Sequence, residues 1–132
     1  MRRREARQRA LEILYQVEIT QDKPETIIET YKKIKVEIPE FTIELVDGVL
    51  THLTEIDYRI DRHAERWSIE RMPIVDRNIL RMGIFEILFE QEIPVSVSIN
   101  EAVELAKIYG TPDSSKFING VLGAIATEVS KK

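Results

Sequence analysis

The sequence contains no cysteine, which excludes disulfide bonds, thiolate metal sites and cysteine nucleophiles together. It also lacks any uninterrupted apolar run near the ~18 residues that a membrane-spanning helix needs. The basic N-terminus is followed by a segment that mixes charged and apolar residues, so it does not form a secretory signal. Glycine and proline number only five each, and no segment is repeated. We therefore expect a cytoplasmic protein whose 132 residues form one domain.

Charge is unevenly distributed along the chain. The net charge of −4 by itself argues mildly against nucleic acid as a partner. Residues 1–9 nevertheless carry five arginines and one glutamate, whereas the rest of the chain holds 14 basic and 22 acidic side chains. A basic end on an acidic body can bind a polyanion at one place while the rest of the body repels it.

Hydrophobic periodicity predicts helices and no sheet, because apolar residues recur three and four positions apart and no long segment alternates with period two. Apolar residues make up 43% of the chain, enough to fill a core without metals. The predicted fold is an all-α helical bundle of six to seven helices, in two small helical subdomains of about residues 1–66 and 67–132 that meet near Trp67. The predicted helices cover about residues 3–20, 24–36, 39–65, 74–93, 96–109 and 111–129, with a single turn at 68–72.

The sequence of the last two predicted helices allows more than one interpretation at two places. Ser96 or Ser98 is predicted to cap the helix that follows Pro94. In the last segment an Asn-Gly pair would ordinarily mark a turn, but the i, i+4 apolar spacing runs straight through it. We therefore predict one continuous helix, in which Gly120 and Gly123 let a neighbouring helix come close.

Sequence signatures of catalysis are missing. His52 and His63 have Val49 and Ile60 three positions before them, so the Glu-x-x-His motif of helical di-iron proteins is absent. Residues 110–116 imitate a phosphate-binding loop, but they lack its second glycine and the hydroxyl side chain after the lysine. We predict no catalytic residues, no metal and no cofactor, and we expect both histidines to be solvated on charged helix faces.

The start of the last predicted helix is a candidate site for a phosphate and a base. A helix N-terminus attracts anions through its free N–H groups and its dipole. Lys116 lies one turn into the helix with Phe117 beside it, which suits a phosphate and an unpaired base. The alternative is that Asp113 only caps the helix and that Phe117 only fills the core.

The N-terminal arginines are the second candidate. Arg3, Arg4 and Arg7 lie about one turn apart on a helix and share a face, and arginine binds phosphate bidentately and stacks on bases. Tyr15 lies two to three turns further along and offers a stacking platform for an unpaired base. The alternative is a solubilising terminus with a tyrosine at the edge of the core.

Four motifs span most of the chain in a fixed order. They are RRREARQRALEILY at 2–15, VDRNILR at 75–81 with FE at 85–86, IP at 93–94 with INEAVELAK at 99–107, and DSSKFINGVL at 113–122. The last two are specific, whereas residues 21–45 match only in pattern. Together these motifs resemble the NusB family over nearly the whole chain.

The resemblance implies an all-α fold of two helical subdomains and a role in transcription antitermination. Family members bind the boxA element of nascent RNA together with the ribosomal protein NusE, and keep RNA polymerase from terminating on ribosomal RNA operons. Glu70 and Asp76 would face NusE. Carried over by matching motif, the residues that would face RNA are Arg3, Arg4, Arg7, Tyr15, Asp113, Lys116 and Phe117.

Two alternatives stay open. One is a helical protein–protein interaction module that never contacts RNA, and the other is an enzyme that holds a metal through its histidines. The resemblance also implies that members occur as monomers or homodimers, and a dimer could bury the arginine face as a storage form. A NusB-like domain occurs fused to ribosomal RNA methyltransferases, but no such domain follows in this sequence, and we expect the chain to act alone.

Overall fold

The structure is a computed structural model that describes residues 2–64 and 67–130, and over these residues it is helical without a β-strand. The predicted all-α fold of six to seven helices is confirmed. The predicted helix end at residue 65 and the subdomain boundary at residue 66 lie outside the described residues. The helices are α1 (Arg3–Thr20), α2 (Pro24–Lys33), α3 (Glu40–Thr51), α4 (Leu53–His63), α5 (Ile74–Phe89), α6 (Val95–Tyr109) and α7 (Ser114–Ser130), with a 3-10 turn at Ile69–Arg71.

Prolines fix the start of four helices. Pro24 is the first residue of α2, while Pro39, Pro73 and Pro94 directly precede α3, α5 and α6. Proline suits these positions because its ring presets the angle φ and because the N–H groups of a first turn have no partner within the helix. The positions of Pro24, Pro39 and Pro73 therefore made three of these helix starts predictable.

The predicted serine cap of α6 is wrong. The helix begins at Val95, directly after Pro94, so Ser96 and Ser98 both lie inside it. Ser98 is buried, and its hydroxyl donates a hydrogen bond of 2.8 Å to Glu86 of α5. This serine therefore joins two helices instead of starting one.

The predicted long third helix is interrupted at His52. α3 ends at Thr51 and α4 begins at Leu53, and His52 between them has φ −105° and ψ 22°. The buried residues on either side keep helical spacing through the break, which is why the apolar pattern gives no sign of it. The His52 ring stacks on Phe89, with ring centroids 4.2 Å apart, and this contact holds the break against the end of α5.

The central helix of the bundle is α5. Residues 78–87 are all buried, and the helix contacts α1, α3, α4, α6 and α7. This confirms the prediction, based on its nearly all-round apolar pattern, that the helix is buried on several sides. No helix in the described ranges is long and apolar enough to cross a membrane.

Close helix packing occurs at a different glycine from those predicted. A Cβ on Gly48 of α3 would lie 2.1 Å from the Phe85 ring, so glycine is what lets α3 approach α5. The predicted close approach at Gly120 and Gly123 is wrong, because a Cβ on either would meet no described atom within 4 Å. α7 turns these two glycines away from its neighbours.

One hydrophobic cluster runs through the bundle. It includes buried residues of all seven helices, among them Ile13, Val49, Ile79 and Ile125. The segments before and after the 3-10 turn therefore share a core, and the division into two subdomains stays a prediction.

A buried ion pair joins α1 to α5. The Arg7 guanidinium donates from Nε and Nη2 to the two carboxylate oxygens of Glu86, at 2.8 and 2.7 Å. The two side chains are only 4% and 2% exposed. Because Ser98 of α6 donates to the same carboxylate, three helices meet at this pair.

We predict that Arg7→Met lowers the free energy of unfolding by about 3 to 5 kcal/mol, because Glu86 then stays buried without its cation. The double variant Arg7→Met, Glu86→Leu recovers most of this loss, since apolar side chains replace the whole pair. Urea unfolding followed by circular dichroism measures both. Arg9→Met is the control: it breaks a partly exposed pair with Glu12 and changes stability by less than about 1 kcal/mol. Equal losses in the single and double variants would show that the pair does not carry this energy.

Candidate nucleic-acid interface

The first turn of α1 presents two of the predicted arginines to solvent. The Arg3 side chain is exposed, with its guanidinium 5.4 Å from the centroid of the Phe41 ring. Arg4 donates to the Glu101 carboxylate at 3.1 and 2.8 Å, while 60% of its side chain remains exposed. The hydrogen bond from Arg4 is the main cause of the lowered pKa of Glu101. Both arginines are within reach of a phosphate, but Arg4 must exchange a carboxylate for it.

Arg7 does not lie on this surface, which corrects the prediction that it faces RNA. Its side chain is 4% exposed and is bound to Glu86. Helical spacing alone puts Arg3 and Arg7 one turn apart, but it does not reveal an acidic partner 79 positions later in the chain. Arg7 therefore positions α1 on the core, and with it the exposed arginines of the first turn.

Tyr15 is 40% exposed and lines a cavity of about 360 Å³ between α1, α2, the start of α5 and the end of α6. Tyr31 and Tyr109 line the same cavity. Eleven residues make nearly three helical turns, so Tyr15 faces within about 20° of the direction of Arg4 and lies about 16 Å further along the helix axis. The tyrosine and the exposed arginine therefore share one side of α1.

The start of α7 presents the third group of predicted residues. Asp113 and Lys116 are exposed, and Phe117 is half-buried against the core. Trp67, 44% exposed, lies beside Phe117 with the ring centroids 5.7 Å apart and the planes at 53°. The sequence pattern indicated only a junction at Trp67, although a lone tryptophan outside any helical apolar stripe is itself a signal for a surface role.

A second cavity, of about 280 Å³, lies at the start of α7 and adjoins the first. Val75 lines the first cavity and the next residue, Asp76, lines the second. Similarly, Tyr109 lines the first cavity and Thr111 the second. The two cavities therefore lie side by side. We use the name basic–aromatic strip for the exposed and half-buried residues at these cavities and at the two helix starts, which are Arg3, Arg4, Tyr15, Trp67, Asp113, Lys116 and Phe117.

Asp76 is buried, which corrects the prediction that it faces a partner protein. It is 3% exposed, and the Ser114 hydroxyl donates to its carboxylate, whose oxygens lie 2.9 and 3.0 Å away. Burial raises the pKa of Asp76, and the hydrogen bond from Ser114 offsets part of that rise. Ser114 also accepts a hydrogen bond of 3.0 Å from the Thr111 N–H. Asp76 therefore ties α5 to the turn that leads into α7.

The structure does not show the capping role considered for Asp113. Its carboxylate has no hydrogen-bond partner among residues 2–64 and 67–130, and the side-chain oxygen that closes this turn belongs to Ser114. Asp113 therefore offers an exposed acceptor at the edge of the second cavity. A carboxylate in that position suits the N–H groups on the edge of a base and repels a phosphate.

A charged cluster fixes the 3-10 turn that carries the exposed Glu70. Arg77 donates to a backbone carbonyl of the turn at 3.1 Å and also to the Glu18 carboxylate. Arg81 bridges Glu18 and Asp57 at 2.6 and 2.8 Å. Burial alone would raise the pKa of Glu18, but the hydrogen bonds and positive charges that it receives lower it. These contacts join distant parts of the chain, so sequence spacing did not reveal them.

The two histidines are engaged in contacts, contrary to the prediction that both are solvated. His63 Nε2 lies 2.7 Å from Glu128 Oε2, and His52 stacks on Phe89. Among the residues that the structure describes, no group of three or more His, Asp or Glu side chains is placed to hold a metal ion.

The fold and the strip together define a small all-α binding protein, with cations and flat rings along one side and buried polar anchors beneath them. The model of the NusB family matches residues 4–127, and the chain belongs to the NusB family.

The chain is similar to curated and solved members over nearly its whole length. The transcription antitermination protein NusB of Desulforamulus reducens is 46% identical, over 95% of this chain and 90% of that protein. That of Oceanobacillus iheyensis is 45% identical, over 95% and 98%. The structure of T. maritima NusB matches with a TM-score of 0.86 at 38% identity, over 97% of this chain and 92% of that one. A chain in the crystal structure of the antitermination factors NusB and NusE in complex with dsRNA matches with a TM-score of 0.83 at 32% identity, over 96% of each.

We predict that Ser114→Ala destabilises the protein by about 1 to 3 kcal/mol at pH 8, because the buried Asp76 carboxylate loses a donor. The substitution raises the pKa of Asp76 further, which means that the folded variant holds this proton more tightly. At low pH Asp76 is protonated in both proteins, so the part of the stability loss that comes from the charged carboxylate is absent. This part of the loss appears as the pH rises through the raised pKa of Asp76 in the wild type. Urea unfolding at pH 3, below the ordinary pKa of an aspartate, and at pH 8 measures this difference.

Two controls accompany this measurement. Ser96→Ala removes an exposed hydroxyl from α6 and leaves stability unchanged within about 0.5 kcal/mol. In an Asp76→Asn background, Ser114→Ala has the same effect at both pH values, because no carboxylate titrates there. A deficit in the wild-type background that does not change with pH would refute the assignment to Asp76.

Proposed function

We propose that this protein is a cytoplasmic transcription antitermination factor. It binds boxA-type single-stranded RNA together with NusE, and helps RNA polymerase to read through ribosomal RNA operons. The chain itself supplies binding and carries out no catalytic step. A second copy of the chain covers the same surface in a storage dimer.

The observation that carries this proposal is the basic–aromatic strip on an otherwise acidic chain. Arg3 and Arg4 supply exposed guanidinium groups at one end, and Lys116 supplies an ammonium group at the other. Tyr15 and Trp67 supply exposed rings between them. Phosphate contacts position a strand, whereas ring faces and base-edge acceptors bind unpaired bases, so the strip contains both kinds of group that single-stranded RNA needs.

The relatives support the same conclusion from outside the chain. The similar proteins of Desulforamulus reducens and Oceanobacillus iheyensis carry the name transcription antitermination protein. The structure of NusB and NusE with dsRNA contains both proposed kinds of partner, a ribonucleic acid and NusE. We propose single-stranded RNA for this chain, because the exposed ring faces are useful only to bases that are not already stacked in a duplex.

We propose a role for NusE because this chain alone is expected to bind RNA with only modest affinity. The chain carries a net charge of −4, so outside the strip it repels a polyanion. A partner that adds surface and positive charge would overcome this repulsion. Glu70 is the proposed contact with NusE, since it is exposed and lies on a turn that Arg77 holds in place.

We predict that the cations of the strip make the RNA affinity fall with salt at a slope of log K against log salt of about −2. Each neutralised phosphate of a single strand contributes about −0.7, and the strip offers three cations, Arg3, Arg4 and Lys116. Arg3→Gln makes the slope shallower by about 0.7 and weakens binding to all sequences alike. A gel shift with boxA-type RNA, with and without NusE, over a range of salt concentrations measures this.

Two variants control for charge alone. Arg62→Gln removes an exposed arginine from α4, outside the strip, and leaves the slope unchanged. Asp113→Asn also leaves the slope unchanged, but alters the preference among RNA sequences. A slope near zero would reject the arginine part of the proposal, and no shift with or without NusE would favour a protein–protein interaction module.

We predict that Glu70→Lys weakens binding to NusE about three- to tenfold, because it places a cation where the proposed contact needs an anion. The variant binds RNA in the absence of NusE as the wild type does. Glu29→Lys makes the same change of charge on the exposed side of α2 and is the matched control. Isothermal titration with NusE compares the three proteins, and equal affinities would remove Glu70 from the interface.

A further inference from the structure

The cavity beside Tyr15 is lined mainly by rings and apolar side chains. Three tyrosines surround it, Tyr15 from α1, Tyr31 from α2 and Tyr109 from the end of α6, with Leu11 and Val75 completing the apolar wall. Its volume of about 360 Å³ lies at the lower end of the range for small-molecule sites. The lining of rings and apolar side chains suits a flat aromatic ring.

The polar groups deep in this cavity are already paired with one another. The Gln16 amide donates to the Tyr31 hydroxyl at 2.8 Å, and that hydroxyl donates to Glu12 Oε1 at 3.1 Å. The hydroxyls of Tyr15 and Tyr109, in contrast, have no hydrogen-bond partner in the described ranges, and the two residues are 40% and 39% exposed. A guest therefore meets three tyrosine side chains, two of which have hydroxyl groups available for hydrogen bonds. This arrangement suits a heteroaromatic ring with polar edges better than an aliphatic side chain.

Arg9 places a positive charge next to the cavity, beside the lining residues Tyr31 and Glu12. The Arg9 guanidinium stands 5.4 Å from the centroid of the Tyr31 ring and 2.8 Å from Glu12, with 34% of the Arg9 side chain exposed. Arg4 lies on the same side of α1 as Tyr15, about 16 Å away along the helix. A cation next to a ring-lined slot matches a nucleotide, whose base is apolar on its faces and whose phosphate is charged.

We propose that this cavity is a subsite for one unpaired nucleobase of the bound RNA, stacked among Tyr15, Tyr31 and Tyr109, with the adjoining phosphate at Arg9. This inference rests on the proposed function and extends it, because it assigns Tyr31, Tyr109 and Arg9 to the RNA surface. The second cavity, at Trp67, then receives a different base of the same strand.

The test removes one base at a time from a boxA-type RNA and measures binding in the presence of NusE. In the wild type, one abasic position weakens binding about 5- to 150-fold, the range expected for losing a stacked base. Val75→Trp fills the cavity from its wall without changing a charge. In this variant the intact RNA binds more weakly, and the abasic substitution at that position has no further effect.

Tyr109→Ser is the second variant, since it removes one wall of the cavity from an exposed position at the end of α6. It reduces the penalty of the same abasic position by at least about threefold. Tyr58→Ser removes a tyrosine that is 63% exposed on α4, away from the cavity, and leaves the penalty as in the wild type. Thermal unfolding of each variant establishes that the comparison is between folded proteins.

The outcomes separate this inference from the proposed function. If the wild type binds the intact RNA but every abasic position behaves alike in all variants, RNA binding stands and the base subsite is wrong. If the wild type does not bind the RNA at all, the proposed function fails and the subsite with it. If Val75→Trp and Tyr109→Ser weaken binding to NusE without RNA, the cavity holds a side chain of the partner protein and the inference is overturned.

Discussion

The ion pair between Arg7 and Glu86 fixes the geometry on which the exposed surface depends. The two charged side chains are 96% and 98% hidden from solvent, and burying either charge without the other is costly. A rotation or shift of α1 on α5 would separate them and would therefore greatly reduce the stability of the fold. Ser98 brings α6 to the same carboxylate. The buried sides of α1 and α6 therefore hold these helices in place. Their exposed sides are not needed for the core and can carry the arginine and tyrosine side chains of the proposed RNA contacts.

The same principle recurs at the other end of α5. Asp76 is buried and holds the turn before α7 through Ser114, while Arg77 and Arg81 hold the 3-10 turn and α1 through the Glu18 carboxylate. Within the described residues every buried side-chain nitrogen or oxygen has a hydrogen-bond partner. Apolar contacts alone do not fix how a helix that is apolar on nearly all sides is oriented in the bundle. These few polar side chains fix the orientation of α5, because their hydrogen bonds are satisfied in only one arrangement.

Sequence patterns predicted the fold well where the signal is local. Helix starts follow from prolines, and burial of α5 follows from its periodicity. The patterns failed where a distant partner decides. Arg7 looks like its neighbours until Glu86 is placed beneath it, and Asp76 looks like a surface carboxylate until Ser114 is placed beside it. The break at His52 leaves the apolar spacing intact, so the sequence pattern does not reveal it. The pattern of apolar residues also does not show that Gly48, and not Gly120, faces a neighbouring helix.

Carboxylates next to the cations of the strip make its affinity conditional. Glu101 binds Arg4 of the strip, and Glu12 binds Arg9 beside the proposed base subsite. The pKa of Glu101 is lowered by its hydrogen bond with Arg4, so this carboxylate stays charged at neutral pH. A phosphate must displace a carboxylate to reach Arg4, and the displaced charge then lies close to the RNA. The electrostatic contribution to RNA affinity is therefore smaller than the number of arginines suggests. The aromatic rings have no such competitor and account for a larger share of the affinity. A strip built in this way discriminates against polyanions that offer phosphates alone, because a ligand without unpaired bases cannot use the rings, and it leaves room for a protein partner to decide when binding becomes tight.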